Sequence, residues 1–309
     1  MKRRPKASHC RRVLSIAMLF LLSLSSFSLR AIDAQPGITD LSGVNVAIYK
    51  GIGVMPSSRN ALNRMFGWMN ATVANMTASQ IKNGSLSDFD ILVVPGGSES
   101  TANSELDSDG KQMIKDFVAQ GGSYFGICGG ATFGAQYLRF FRGQMAVVSE
   151  PGSIMHMTPM HIDRNCSGPD LSGCPENISV MYYNSQYFIP TPGYDIHTIA
   201  SYDHNDRPGM IALKDNNGTV FLSSPHAEYE EDDDRDDTNF ADDFEDPESE
   251  WDLLFQVSKW LIEASYVEPT DSTTTSDLSD FDLSLTIAAT VCCAVVGLVG
   301  VILYKTKYK

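Results

Sequence analysis

Apolar residues fall along this chain in short runs separated by polar, glycine-rich turns, with a longer apolar block near each end. The runs at 44–49 (VNVAIY), 91–94 (ILVV) and 123–127 (SYFGI) have little polar character on either face. Such runs read as strands of a parallel sheet buried beneath helices on both sides. Between them, 57–69 and 107–120 carry apolar residues at helical spacing. The second places Met113, Ile114, Phe117 and Val118 inward and stops at Gly121-Gly122. The second half is richer in strand pattern, at 178–189, at 195–202 and in a hairpin over 210–223. That hairpin turns at Asn216-Asn217-Gly218, residues that tolerate positive φ. An amphipathic helix over 251–264 closes the pattern. Strands alternating with helices predict an α/β domain over 43–264 with a flavodoxin-like, doubly wound, mostly parallel sheet.

The two end blocks change the picture from a domain to a tethered domain. Residues 1–34 begin with Lys2, Arg3, Arg4, Lys6, Arg11 and Arg12, continue through an apolar core at 13–24 and finish on small residues at Ala34. This is the order of a secretory signal peptide, cleaved near Ala34. Its apolar core is shorter than the about 20 residues an uncleaved anchor needs. From Leu283 to Tyr304 no residue is charged, and Lys305, Lys307 and Lys309 follow. The expectation is one C-terminal transmembrane helix over 283–304, a cytoplasmic tail at 305–309, and a Thr-, Ser- and Asp-rich stalk over 265–282. A removed GPI signal would normally lack the basic finish. The reading is a single-pass type I membrane protein of the secretory pathway, its domain lumenal or extracellular, at the cell surface or an endolysosomal membrane. Six Asn-x-Ser/Thr sequons, at Asn70, Asn75, Asn83, Asn165, Asn177 and Asn217, fit that route.

The formal charge of −15 is concentrated in the acidic stretch 230–250, where Arg235 is the one base, and losing the basic leader makes the rest more acidic still. That balance argues against a nucleic-acid partner. The stretch itself reads as a solvated insertion with too little apolar surface to offset the cost of ordering it. Outside the leader and the span, the cysteines are Cys128, Cys166 and Cys174. Cys166 and Cys174 flank a short Ser-, Gly- and Pro-rich loop and are expected to pair, leaving Cys128 as a free thiol. His156 and His161 are five apart, and His197 and His204 have no evident partner in the sequence, so no metal site and no cofactor are expected.

The candidate chemistry lies in three short motifs. Gly126-Ile127-Cys128-Gly129-Gly130 sits where a buried strand meets an expected helix over 129–138. A nucleophile on such a turn is forced outward, the helix N-terminus lowers its pKa, and the N–H of Gly129 faces a developing oxyanion. Ser224-Pro225-His226-Ala227-Glu228 follows the hairpin. Residues two apart on an extended segment share a side, so Glu228 can orient His226 and His226 can serve Cys128 as base. Pro95-Gly96-Gly97 ends the strand at 91–94, and the N–H of Gly97 is the second oxyanion donor.

Together, and in this order, these motifs resemble class I glutamine amidotransferase-like domains, most closely the biotin-protein ligase N-terminal domain family. The residues carrying the likeness are 48–54 (IYKGIGV), 93–97 (VVPGG), 122–131 (GSYFGICGGA) and 223–228 (SSPHAE). The resemblance implies Cys128 as nucleophile, His226 as base and Glu228 as its orienter. Glutamine amidotransferases usually carry a Gln after the elbow, whereas here Ala131, Thr132 and Phe133 follow. Neither a synthetase domain to receive ammonia nor a biotin-ligase catalytic domain is expected in this chain. The expected activity is therefore thiol hydrolysis of a small-molecule or peptide amide, and the likeness to the exported γ-glutamyl hydrolases points to a γ-glutamyl or similar bond. The alternative is a non-catalytic, receptor-like lumenal ectodomain that keeps the fold.

Overall fold

A computed structural model describes residues 40–147, 154–230, 234–244 and 248–265. The expected leader at 1–34, the transmembrane segment 283–304, the tail 305–309 and the stalk beyond Ser265 lie outside the described residues. Among the described residues no helix is long and apolar enough to cross a membrane.

Strands β1 (Asn45–Tyr49), β2 (Thr72–Met76), β3 (Ile91–Val94), β4 (Ser123–Ile127) and β11 (Gly218–Ser223) pair in parallel in the order β2-β1-β3-β4-β11. This is the flavodoxin-like order of a doubly wound sheet. Every residue of β3, β4 and β11 is buried, as the apolar runs require when both faces are covered. To this core the chain adds an antiparallel extension, continuing from β11 through β10 (Arg207–Asp215), β9 (His197–Tyr202), β6 (Met155–Ile162) and β7 (Asn177–Tyr183). A separate two-stranded sheet pairs β5 (Gly143–Val147) with β8 (Gln186–Pro190). The run expected as one strand over 178–189 is thus two strands in different sheets, divided where Asn184 takes a φ of 50°. Only the five-stranded core keeps the parallel rule.

The helices follow the expected register with two differences. Helix α1 (Pro56–Trp68) has Pro56 in its first turn and buries Ser58, Ala61, Leu62, Met65 and Phe66. Helix α2 (Ala78–Lys82) is closed by a capping box of Thr77 and Gln80. Helix α3 (Glu99–Ala119) begins well before the expected start at Asp107 and is broken there, with Asp107 at φ 49° and ψ −154°. Its first half buries only Ala102 and Leu106 among polar residues, so the apolar periodicity is faint. After Cys128, α4 (Gly129–Thr132) passes into a π-helical turn at Phe133–Tyr137 rather than one regular helix over 129–138. Helix α5 (Trp251–Ala264) has the expected bounds.

Two expectations are corrected. Cys166 and Cys174 are free thiols. Cys166 lies in a tight turn that directs its S–H to the Pro169 carbonyl at 3.3 Å, while the backbone of Cys174 closes a different turn onto Leu171. The described residues of the acidic stretch 230–250 are not uniformly solvated, because several of them pack against the domain. Glu230, Asp236, Ala241 and Glu250 are buried, and Phe240 and Phe244 pack on a cluster with Met181 and Tyr229. Arg235 pairs with Glu230 and lies over the rings of Trp68 and Trp251, 5.8 and 4.7 Å from their centroids. The apolar content missing from the bulk of the stretch is supplied at two phenylalanines, and cation–π contact supplies the rest.

Burial pushes Asp236 up to about 6, helped by Asp242 and Glu230 and opposed by N–H donors of Thr238 and Glu230. The folded state therefore keeps a proton that the unfolded chain has already lost. The stability this contributes is complete below the ordinary carboxylate range and is lost as pH rises through about 6. Asp236→Asn should flatten the decline in melting temperature between pH 4 and 6 that the wild type shows, as read by calorimetry. An unchanged pH profile would show that Asp236 is solvated.

Candidate active site

The site forms where three adjacent parallel strands end. Their carboxyl ends at Val94, Ile127 and Ser223 deliver the Pro95-Gly96-Gly97 turn, the Cys128 elbow and the segment bearing His226. Ligands of open α/β sheets bind outside these strand ends. The Cys128 N–H donates to the Ser223 carbonyl at 2.8 Å, stitching the elbow to β11. Cys128 itself is held at φ 49° and ψ −112°, a conformation that costs an L-residue about 1–3 kcal/mol and is kept only where surrounding structure enforces it.

His226 and Glu228 are both fully buried. His226 Nδ1 lies 2.8 Å from Glu228 Oε1, and because a carboxylate only accepts, Nδ1 is the donor and Nε2 is left for the thiol. Nε2 is buried with no hydrogen-bond partner among the described residues. The backbone N–H of His226 donates to the Met181 carbonyl at 2.9 Å, so the antiparallel extension curls back and its edge strand β7 fixes the imidazole. A methyl placed on Gly96 would meet His226 Cε1 at 2.6 Å and Cys128 Cβ at 3.5 Å, which brings ring and nucleophile to the two sides of one glycine. The three residues singled out in the sequence as a relay are therefore together.

The electrostatics follow from that packing. Burial pushes the Cys128 thiol up, but the charge of the neighbouring His226, aided by the Gly129 N–H, outweighs this, and the thiol lies below its ordinary value. Burial works against a charged His226, yet Glu228 and then Cys128 raise it well above the usual imidazole range. The two shifts run in opposite directions, and both favour a thiolate beside an imidazolium over a neutral pair. Gly97 and Gly129 are also neighbours, since a methyl on Gly129 would lie 3.1 Å from the Gly97 nitrogen.

The sequence reading missed the residues that hold Glu228. Ser58, on the buried face of α1, donates to Glu228 Oε1 at 2.6 Å and accepts the Gly96 N–H at 2.9 Å, tying the acid to the turn after β3. Trp251 Nε1–H donates to the Glu228 carbonyl at 3.0 Å. Tyr229 stacks on His226 with centroids 5.3 Å apart, and its hydroxyl is 2.9 Å from Ser57 Oγ. A polar residue on an otherwise apolar helix face was the available signal for Ser58. Among the described residues, no group of three His, Cys, Asp or Glu side chains is placed to share a cation. Cys166 and Cys174 take no part in the site. A half-buried Cys128 opens onto a cleft of about 660 Å³ walled by Met55, Glu99, Tyr183 and Gln186 among others.

A family described as "Biotin-protein ligase, N terminal" matches residues 44–153. Over that stretch the chain is similar to the biotin-protein ligase N-terminal family, as its motifs implied. The likeness takes in β1, the Pro-Gly-Gly turn and the elbow, while His226 and Glu228 lie beyond it. The biotin–protein ligase of Schizosaccharomyces pombe is 24% identical over 214 residues, covering 60% of this chain and 33% of that protein. A protein of Chlamydia muridarum, described as uncharacterized, is 30% identical over 161 residues, covering 45% of this chain and 60% of its own length. The chain thus spans a third and three-fifths of these two relatives. A glutamine amidotransferase structure from Thermotoga maritima aligns with 71% of this chain and 89% of its own, at 13% identity and a TM-score of 0.47.

Ser58→Ala would leave the Gly96 N–H and Glu228 Oε1 each short of a partner at a buried position, costing about 1–3 kcal/mol of stability. It should also slow alkylation of Cys128 by iodoacetamide near neutral pH, because a loosened Glu228 supports the imidazolium less. Denaturant titration and the alkylation rate check the two parts. Full reactivity in the variant would show that Ser58 does not position the relay.

Proposed function

We propose that this chain is a membrane-anchored, lumen-facing glycoprotein whose domain hydrolyses an amide bond through Cys128, His226 and Glu228. The observation that carries the reading is the buried His226–Glu228 hydrogen bond of 2.8 Å beside a strained, half-exposed Cys128 that opens onto a cleft. The Cys128 thiolate attacks the amide carbon, and the oxyanion faces the N–H groups of Gly97 and Gly129. The carbon–nitrogen bond breaks as His226 Nε2–H protonates the leaving amine, giving a thioester and a neutral imidazole. Nε2 then takes a proton from water as its oxygen attacks the thioester. The acid leaves, and the thiolate–imidazolium pair is restored. The tether and compartment rest on the end segments of the sequence, and each of the six sequon asparagines is exposed and open to a glycosyltransferase.

Replacing Cys128 by Ala should abolish release of amine from an amide panel. His226→Ala should cost about 10²- to 10⁴-fold in kcat, and Glu228→Ala less, since it only orients the ring. Equal turnover in the wild type and Cys128→Ala would overturn catalysis here and favour the receptor-like ectodomain. For the location, the membrane fraction of expressing cells should hold a form that N-glycosidase shortens. A soluble, unglycosylated product would contradict the anchor.

A further inference from the structure

The cleft over Cys128 has a charge asymmetry that bears on what enters it. Among its described wall residues Glu99 is the one charged side chain, and neither Lys nor Arg contributes. Glu99 is the first residue of α3, partly exposed, and no described side chain pairs with it. A second wall residue, Gln186, has its side-chain oxygen buried without a hydrogen-bond donor. Its backbone N–H is engaged, donating to Ser224 Oγ at 2.6 Å. The cleft thus presents two acceptors lacking donors and, among its described wall residues, no cation for an anionic ligand. The thiolate and the buried Glu228 carboxylate together exceed the imidazolium by one negative charge, and the partly exposed Glu99 adds a second at the cleft wall, where an entering group meets it. Met55, Tyr183 and the exposed Ile154 add apolar surface, and neutral polar side chains such as Ser98, Thr132 and Asn184 line much of the rest.

We infer that the site takes an amide whose non-reacting end is positively charged, an amino-bearing or peptide-type amide, with Glu99 pairing its ammonium group and Gln186 accepting an N–H. The inference rests on the Cys128 relay proposed above and narrows its substrate class. A γ-glutamyl tail carrying free carboxylates meets no counter-charge among the described residues of this cleft, and a buried, unpaired carboxylate is strongly disfavoured.

The test uses the full-length protein and the thiol itself as reporter. Three methanethiosulfonates of similar size are compared, one neutral, one bearing an ammonium and one a sulfonate. Each forms a mixed disulfide with the Cys128 thiolate and releases methanesulfinate, so no substrate need be known. Rates are read as labelling of Cys128 by peptide mass spectrometry and divided by those of free cysteine. The cationic reagent should exceed the anionic one by about tenfold or more at low salt, with the ratio falling as salt rises. Glu99→Gln should lower the ratio clearly, and Glu99→Asp should keep most of it. Fast neutral labelling with equal cationic and anionic rates overturns the inference alone. So does a ratio unchanged in Glu99→Gln. Neutral labelling no faster than free cysteine overturns the relay and this inference with it.

Discussion

The backbone of the elbow lies against the backbone of the Pro-Gly-Gly turn so closely that a methyl on Gly129 would sit 1.9 Å from the Gly97 carbonyl oxygen. No side chain fits between the two turns, which fixes the distance between the ends of β3 and β4 and forces Cys128 into its strained conformation. The same contact sets the Gly97 and Gly129 amides side by side. With the thiol turned outward, His226 reaches it only because β11 is hydrogen-bonded to β4 in parallel register and ends beside it. The relay is thus a consequence of sheet order together with a glycine-to-glycine contact.

What keeps His226 in place comes from elements distant in sequence. Helix α1 contributes Ser58 beneath Glu228, β7 contributes the Met181 carbonyl, and α5 contributes Trp251. The acidic stretch joins them. Phe240 packs on Tyr229, centroids 5.1 Å apart, and Tyr229 in turn stacks on the imidazole. Arg235 lies over Trp251, whose indole N–H holds Glu228. A segment that reads by composition as a solvated insertion therefore buttresses the His226 ring through aromatic contacts.

Much of this architecture was legible in the sequence. The buried runs of β1, β3, β4 and β11 announce themselves because both faces are apolar, and α5 does so through its amphipathic period. The strands that escaped are the polar or interrupted ones. β2 and β5 lie at sheet edges with only one buried side chain between them, and β6 carries Pro159 among histidines and methionines. At the site, Cys128, His226 and Glu228 were readable because glycine-flanked turns and period-two spacing are local signals. Ser58 was not, because its partner is 170 positions away and only the folded chain joins them. The disulfide expectation failed for a related reason, since proximity in sequence does not say which way two sulfurs point.

The claim on which this account stands is that His226, buried against Glu228, keeps Cys128 ionised. It is tested most directly by titrating the ultraviolet absorbance that a thiolate has and a thiol lacks, taken as the difference between the wild type and Cys128→Ser. The account predicts a midpoint well below the about 8.5 of a free thiol, moving upward in His226→Gln. A midpoint at or above about 8.5 in the wild type, insensitive to His226, would contradict it.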